Sequence, residues 1–383
     1  MENKKRILVF TDWFLPGFKA GGPIRSLTNM AAHLGKEFEF YFVTSDRDLF
    51  AEQPYPGVKT GEWSKLNDGT SIIYLSPKEQ NADMIAKIMK EKQADILYLN
   101  SMFSKKFTLL PLQVRNKIMP ARKVILAPRG MLGKGALQIK PLKKKTFLAL
   151  ARLTGLYRNI TWHASSQLEA TEIRKVMGRN AKVKIALNLS PHYPFTFIPR
   201  IKEPGKLKLV FLSRISPKKN LLGTLKLLQK LYAHEKVEFT IYGPIEDVAY
   251  WEECRALISK LPSNIYVQYT GALQHNEVLH ALSQQHVSIL LTFNENFGHS
   301  IVESMAAGCP VLLSENTPWR NLPEQKAGWD VSLEHEAQQL QALKEAIAMD
   351  QETYNEWSQS ALELARSITQ NETVIDQNRS LFA

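Results

Sequence analysis

The sequence predicts an α/β protein made of two doubly wound, parallel-sheet domains, and three observations carry that prediction. Apolar strand-like runs alternate with amphipathic helix-like runs along most of the chain, the pattern of parallel sheets covered on both faces. The alternation breaks once, at "SPHYPFTFIPRIKEPGK", where Pro191, Pro194, Pro199 and Pro204 exclude a helix. The 383 residues, 44% of them apolar, suffice for two cores, since a single core stops growing at about 250 to 300 residues.

In chain order, the first half gives strands at "ILVFTDWF", "FEFYFVTS", "SIIYLS", "ADILYLN", "KVILAP", "TWHASS" and "VKIALN". The second gives "LKLVFLSRI", "VEFTIYGP", "NIYVQYTG", "VSILLTF" and "PVLLSE", separated by helical segments such as "LLGTLKLLQKLYAH" and "DVAYWEECRALISKL". Beyond about residue 334 the chain reads as polar helix. The expected division is a first domain over 1–190, a linker over 191–205 and a second domain over 206–365, with a helix over about 366–383 returning to the first domain. Open parallel sheets bind ligands at the carboxyl ends of their strands, so function is expected in the strand-to-helix loops of two domains facing across a cleft.

Composition removes several classes. No uncharged apolar run approaches the ~18 residues of a membrane span, and Asp12 interrupts the opening apolar stretch as no signal peptide would. A cytoplasmic protein is expected. Cys254 and Cys309 lack metal-ligand spacing and read as buried thiols. The net charge of +12 is unevenly spread, for no Asp or Glu occurs from Ile96 to Leu168, a stretch that carries Lys105, Lys106, Lys134, Lys140, Lys143, Lys144, Lys145 and Arg158 among its cations. Such a one-sign field over 105–158 fits an anionic partner. Lys143–Lys145 lead into Phe147, Leu150, Leu153 and Leu156 at roughly helical spacing, which fits either a membrane-surface helix or a packed core helix.

The loops carry the chemistry. After the first strand, "PGFKAGGPIRS" sets Gly21 and Gly22 before a helix opened by Pro23. That arrangement serves a tight turn or a phosphate on the helix amides. In "FLSRISPKKNLLG", Arg214 ends an apolar strand and Lys219 follows five positions later, so a guanidinium fork and an ammonium could meet on one diphosphate, with Lys218 left as a solvated charge. In "NENFGHSIVESMAAGCPVLLSE", Glu295 lies in a strand's exit loop, and Glu303 falls three positions after Ser300, a natural N-cap. Both carboxylates are then expected at the cleft mouth, where they suit vicinal hydroxyls, with Phe297, Gly298 and His299 offering amides between them. A capping box, Ser300 to Glu303, explains the second carboxylate equally well. Spacing leaves both open.

These stretches resemble the retaining glycosyltransferase family 4. "ENFGHSIVESMAAGCPVLLSE" is similar to its Glu-x7-Glu signature, "LSRISPKKNLLGTLKLL" to its Arg-x4-Lys segment, and "IYGP", "VQYTGAL" and "AGGPIRSL" match in type and order. The resemblance implies a GT-B fold of two Rossmann-like domains and a nucleotide-sugar donor, UDP- or GDP-type. It implies Arg214 and Lys219 on the diphosphate, Glu303 on the ribose, Glu295 with the Phe297–His299 backbone on the donor sugar, Gly21 and Gly22 near the diphosphate, and Tyr242, Gly243 and Gly271 beside the base. Glycan or lipid-linked acceptors in cell-surface polysaccharide synthesis follow from it, with neither cofactor nor metal. No nucleic acid is expected. The chain departs from the family where a His-Gly or His-Asp pair reads Arg129-Gly130, which casts Arg129 as an acceptor-binding residue, for an anionic acceptor, or as a partner of a donor phosphate, whereas His163 reads as a satisfied strand-end histidine. Asp46-Arg47-Asp48 is a literal Asp-x-Asp, the metal signature of another glycosyltransferase fold, at odds with the two-domain pattern. The rivals are a nucleotide-sugar 2-epimerase of the same fold and a basic nucleic-acid-binding protein. The second lacks interleaved exposed aromatics and leaves the carboxylate pair unexplained.

Overall fold

A computed structural model describes residues 4–133, 136–137, 141–191 and 193–383. They form two compact units: residues up to Ser190 together with Glu372–Ala383, and Pro191–Asn371.

The first unit holds β1 (Arg6–Phe10), β2 (Glu39–Ser45), β3 (Trp63–Lys65), β4 (Ser71–Leu75), β5 (Ile96–Asn100), β6 (Lys123–Ala127), β7 (Ile160–Ala164) and β8 (Val183–Ile185). They lie in the order β3-β4-β2-β1-β5-β6-β7-β8, parallel except where β3 runs against β4. Because successive side chains point to opposite faces, β1 sends Leu8 and Phe10 into one core and Ile7 and Val9 into the other. Both faces are covered, which is why the strand reads as an unbroken apolar run. The helix Gly22–Leu34 covers the second face with Ile24, Leu27, Met30 and Leu34, at helical spacing.

The second unit holds β9 (Lys206–Leu212), β10 (Lys236–Tyr242), β11 (Ile265–Gly271), β12 (Val287–Leu290), β13 (Val311–Ser314) and β14 (Gly328–Val331). Their order is β11-β10-β9-β12-β13-β14, all parallel. The chain winds outward from β9 to β11, then returns to β12 on the other side of β9. The switch point therefore lies between the ends of β9 and β12, where open sheets bind ligands.

Four features differ from the expectation. The sequence reading misses β3 and β14, three and four residues long. The expected linker is not a free strap. Tyr193 and Phe195 belong to the second unit's core. Arg200 donates to the carbonyls of Gln285 and Ala307 and to the Tyr354 hydroxyl, and Lys202 donates to the carbonyls of Glu203, Ile347 and Met349. The expected closing helix is broken: Gln351–Thr369 lies in the second unit, and Glu372–Phe382 in the first. There Leu381 and Phe382 are fully buried, with Phe382 against Phe38, Phe40 and Tyr98.

The helix Pro141–Leu153 also turns differently from its expected stripe. Phe147 packs against Phe103 and Tyr157, Leu156 lies past the helix end against the same core, and Leu150 and Leu153 face out. A continued helix would carry Leu156 to the face opposite Phe147; the chain turns at Thr154 instead, which returns Leu156 to the same core. Lys134 and Lys140 of the basic stretch lie outside the described residues. Among the described residues no helix is long and apolar enough to cross a membrane.

Candidate active site

In the second unit, two loops are stitched together at the switch point. The loop after β9 forms a short turn, Pro217–Lys219, followed by the helix Leu221–Leu228 with Asn220 as its N-cap. The Lys218 carbonyl accepts from the Phe293 amide and the Thr292 hydroxyl, each at 2.9 Å, and the Asn220 side chain donates to the Leu291 carbonyl at 2.8 Å. These bonds fix the loop carrying Arg214, Lys218 and Lys219 beside the loop carrying Glu295.

Five charges gather there. Lys219 forms a close ion pair with Glu295, both nearly buried, and Arg214 pairs with Glu246 at 2.9 Å. Lys218 stands in the field of all four. Three cations face two carboxylates, which leaves the cluster positive. Burial alone would push the Glu295 carboxyl up, but the charge and hydrogen bond of Lys219, then Lys218 and the Asn296 amide, hold it below the usual carboxylate range. Burial and the neighbouring Lys219 push the Lys218 ammonium down. Lys218 is thus half-buried and coupled to the cluster, not the solvated charge expected of it. Sequence reasoning also missed Glu246, whose only signal is an acid two residues after a strand-ending Gly-Pro.

Gly243 explains how Arg214 and Glu246 meet. Its φ is 141°, and a Cβ there would lie 1.8 Å from the Ser213 carbonyl oxygen, so only glycine lets the turn after β10 press against the end of β9. Ile215 and Ile245 bridge the two loops. The Gly243 amide donates to Gly271 at 2.8 Å and its carbonyl accepts from the Tyr269 hydroxyl at 3.0 Å. Tyr242, Gly243 and Gly271 therefore cluster at the ends of β10 and β11, with burial raising the Tyr242 phenol.

The helix His299–Ala306 starts two residues earlier than the capping box predicts. Its N-cap is Gly298, at φ 80°, and Ser300 is already helical, so Glu303 is the fifth helical residue and makes no capping box. The left-handed conformation at Gly298, cheap only for glycine, turns the exit loop directly into the helix. The first amides of that helix have no intrahelical partner, which equips the turn at Phe297–His299 to receive an anion. The Phe297 ring is buried beside His299 and Trp319, and its carbonyl accepts from the Trp319 indole at 2.7 Å.

Glu303 departs further from expectation. It is 1% exposed, on a helix that packs into the second unit's core. It lines a cavity of about 170 Å³ with Pro191, Tyr193, His275, Asn276, Val278 and Leu279. The carboxylate expected at a cleft mouth is the wall of a mostly apolar recess.

In the first unit, Gly21 is the N-cap of the helix Gly22–Leu34, with open space where its side chain would be. Asp48 ties the approach to that helix by accepting the amides of Phe18 and Lys19, and Asp46 pairs with Arg47 at 2.8 Å. The two carboxylates of the Asp-x-Asp triplet thus serve different protein partners. Arg129 is more constrained than an acceptor-binding side chain needs to be. It donates from Nε to Asn100 and from one terminal nitrogen to Asn188, each at 2.6 Å, and from the other to the Tyr98 hydroxyl at 3.0 Å. Among the described residues, these partners take three of its five N–H groups. Tyr98 in turn bonds His163 Nδ1 at 2.7 Å, and His163 Nε2 bonds the Ala186 carbonyl at 2.8 Å. Burial and the Arg129 charge push this histidine down to about 3. Glu169 clamps the same loop, accepting the Gly130 amide at 2.6 Å and the Ser165 amide at 2.7 Å.

Residues 196–363, most of the second unit, match the family described as glycosyl transferases group 1, and the two-unit fold is the GT-B fold of solved glycosyltransferases. Sucrose-phosphate synthase from Thermosynechococcus elongatus superposes with a TM-score of 0.74 at 14% identity, over 99% of this chain and 98% of that one. HepE of Anabaena, solved in complex with UDP-glucose, gives 0.70 at 16% identity, over 98% of both chains. WaaG, a glycosyltransferase involved in lipopolysaccharide biosynthesis, gives 0.59 at 14% identity, over 98% of both chains. No curated protein matches the sequence.

Proposed function

We propose that the protein is a retaining glycosyltransferase of family 4 that moves a sugar from a nucleotide-diphosphate sugar to a glycan or lipid-linked acceptor in cell-surface polysaccharide synthesis. The observation that carries this reading is the cluster of Arg214, Lys218 and Lys219 at the switch point, beside Glu295 and the N-terminal amides of the helix His299–Ala306. The match of this unit to group 1 glycosyl transferases supports it, and the UDP-glucose complex of HepE supports a UDP-sugar as donor.

The chemistry follows from charge. As the bond to the sugar breaks, negative charge grows on the departing diphosphate while the sugar becomes oxocarbenium-like. Cations and amides already fixed in place stabilise that charge without reorganising, which lowers the barrier. Arg214 supplies a planar fork, Lys219 a point charge, and Lys218 a third cation that raises the local potential. A carboxylate held ionised, as Glu295 is, accepts hydrogen bonds from sugar hydroxyls. The acceptor attacks from the face the diphosphate leaves, with a phosphate oxygen taking its proton, so retention requires no protein nucleophile and the transfer no resident metal. The buried carboxylate of Glu303 in its apolar recess suits the ribose and the edge of a base.

The test is transfer from a panel of UDP- and GDP-sugars, after a thermal-shift screen has identified the nucleotide that raises the melting temperature. Lys219→Ala and Glu295→Ala should each abolish transfer while the circular dichroism of the native protein persists. Wild-type turnover by both variants refutes the site. Quantitative epimerisation of the donor without acceptor refutes transfer itself.

A further inference from the structure

The helix Pro141–Leu153 presents an apolar ridge to solvent. Leu142, Leu150 and Leu153 are 82, 56 and 84% exposed, whereas Phe147, Leu148 and Ala151 pack inward. At 100° per residue, Leu142, Thr146, Ala149 and Leu153 form the outermost line, with Leu150 on its shoulder. Lys143 flanks the ridge on one side, Lys145 and Arg152 on the other. Lys143 and Lys145 are exposed and, among the described residues, pair with no carboxylate, while Arg152 also donates to the Val176 carbonyl. Phe103, two residues before the exposed Lys105, packs its ring on Phe147 with ring centres 5.6 Å apart, whereas Lys106 donates to the Gln80 carbonyl. No acid occurs from Ile96 to Leu168, so the helix and the segment before it bring no carboxylate of their own to this face.

We propose that this face is a docking surface for an anionic lipid bilayer, with the Leu142–Leu153 ridge entering the headgroup boundary and the flanking cations holding acidic headgroups. The charge pattern selects this occupant. A nucleic acid would engage the cations but leave three leucines wet, and a second copy of the chain would cover the leucines but set like charges together. A negatively charged membrane surface accepts both components at once. The inference concerns the first unit alone and does not depend on the transfer reaction.

Flotation of the full chain with vesicles tests it without reading any activity. The protein should float with phosphatidylcholine vesicles containing phosphatidylglycerol and remain at the bottom with phosphatidylcholine alone. Lys143→Gln and Lys145→Gln should each lower the partition coefficient about fivefold, equivalent to about 1 kcal/mol per cation. Leu142→Ser with Leu153→Ser should remove binding, and because both sites are exposed the fold should be unaffected. Failure to float with anionic vesicles overturns the proposal, as does flotation of the serine variant equal to wild type. Concentration-dependent dimerisation that the serine variant abolishes, without vesicle binding, assigns the ridge to a second copy and overturns it too.

Discussion

Arg214 and Glu246 form a 2.9 Å ion pair between the loops that follow two adjacent strands, β9 and β10, so the guanidinium expected to receive a diphosphate is held by a carboxylate of its own chain. The pair is about one-third exposed on each side, where such bonds contribute little to stability, about 0 to 1 kcal/mol. Its effect is on the potential of the site. Glu246→Gln should tighten UDP or GDP binding about two- to fivefold by removing a competing negative charge, with stability changed by less than about 0.5 kcal/mol. Calorimetric titration at two salt concentrations reads the gain and its screening. Weaker binding by the variant would mean that Glu246 orients Arg214 for the ligand.

The Lys219–Glu295 pair is far less exposed, and breaking it from one side strands a charge. Lys219→Met should cost about 3 kcal/mol or more, because Glu295 is left without its cation, whereas the double change Lys219→Met with Glu295→Met should cost much less than the two single changes added together. Urea unfolding of the four proteins gives the coupling. Additive losses would show that the pair is not coupled in the fold.

His163 makes stability depend on pH with a definite sign. The unfolded chain protonates this histidine near 6.5 and the folded chain only near 3, so between these values the unfolded state binds more protons and stability is lost as pH falls. One such group contributes a slope of up to about 1.4 kcal/mol per pH unit. His286, pushed down to about 4 chiefly by burial, acts in the same direction. His163→Gln should flatten the fall measured by urea unfolding between neutral and mildly acid pH. An unchanged slope would exclude His163 as its source.

Arg129→Lys keeps the charge and loses the fork. Asn100, Asn188 and Tyr98 cannot all be satisfied by one ammonium at the places the three guanidinium nitrogens now occupy, and each unsatisfied buried group costs about 1 to 3 kcal/mol. The variant should therefore be destabilised by several kcal/mol. Wild-type stability combined with a raised KM for the acceptor would instead assign the side chain to substrate.

The longer strands and the parallel character of the sheets are legible because parallel strands buried on both faces leave unbroken apolar runs, as "RILVF" and "ILYLN" do; their order within each sheet is not. β3 and β14 escape because "WSK" and "GWDV" carry no apolar run, whereas the equally short β12 and β13 read as "VSIL" and "VLLS". In the site, Arg214, Lys219 and Glu295 were marked by position at strand ends. Lys218 was misread because burial is set by the Thr292 and Phe293 contacts, which join segments more than seventy residues apart. The helix start was misplaced because Ser300 and Glu303 form a valid local pattern, and only the backbone at Gly298 shows that the helix has already begun.

The helix Glu372–Phe382 is made about 180 residues after the rest of the unit whose core it completes. On the ribosome, Phe38, Phe40 and Tyr98 emerge early and must wait for Phe382, while the contiguous segment Pro191–Asn371 needs nothing synthesised after it. The later-born half can thus mature first, and a nascent chain stalled before Glu372 would expose an aromatic cleft that chaperones recognise.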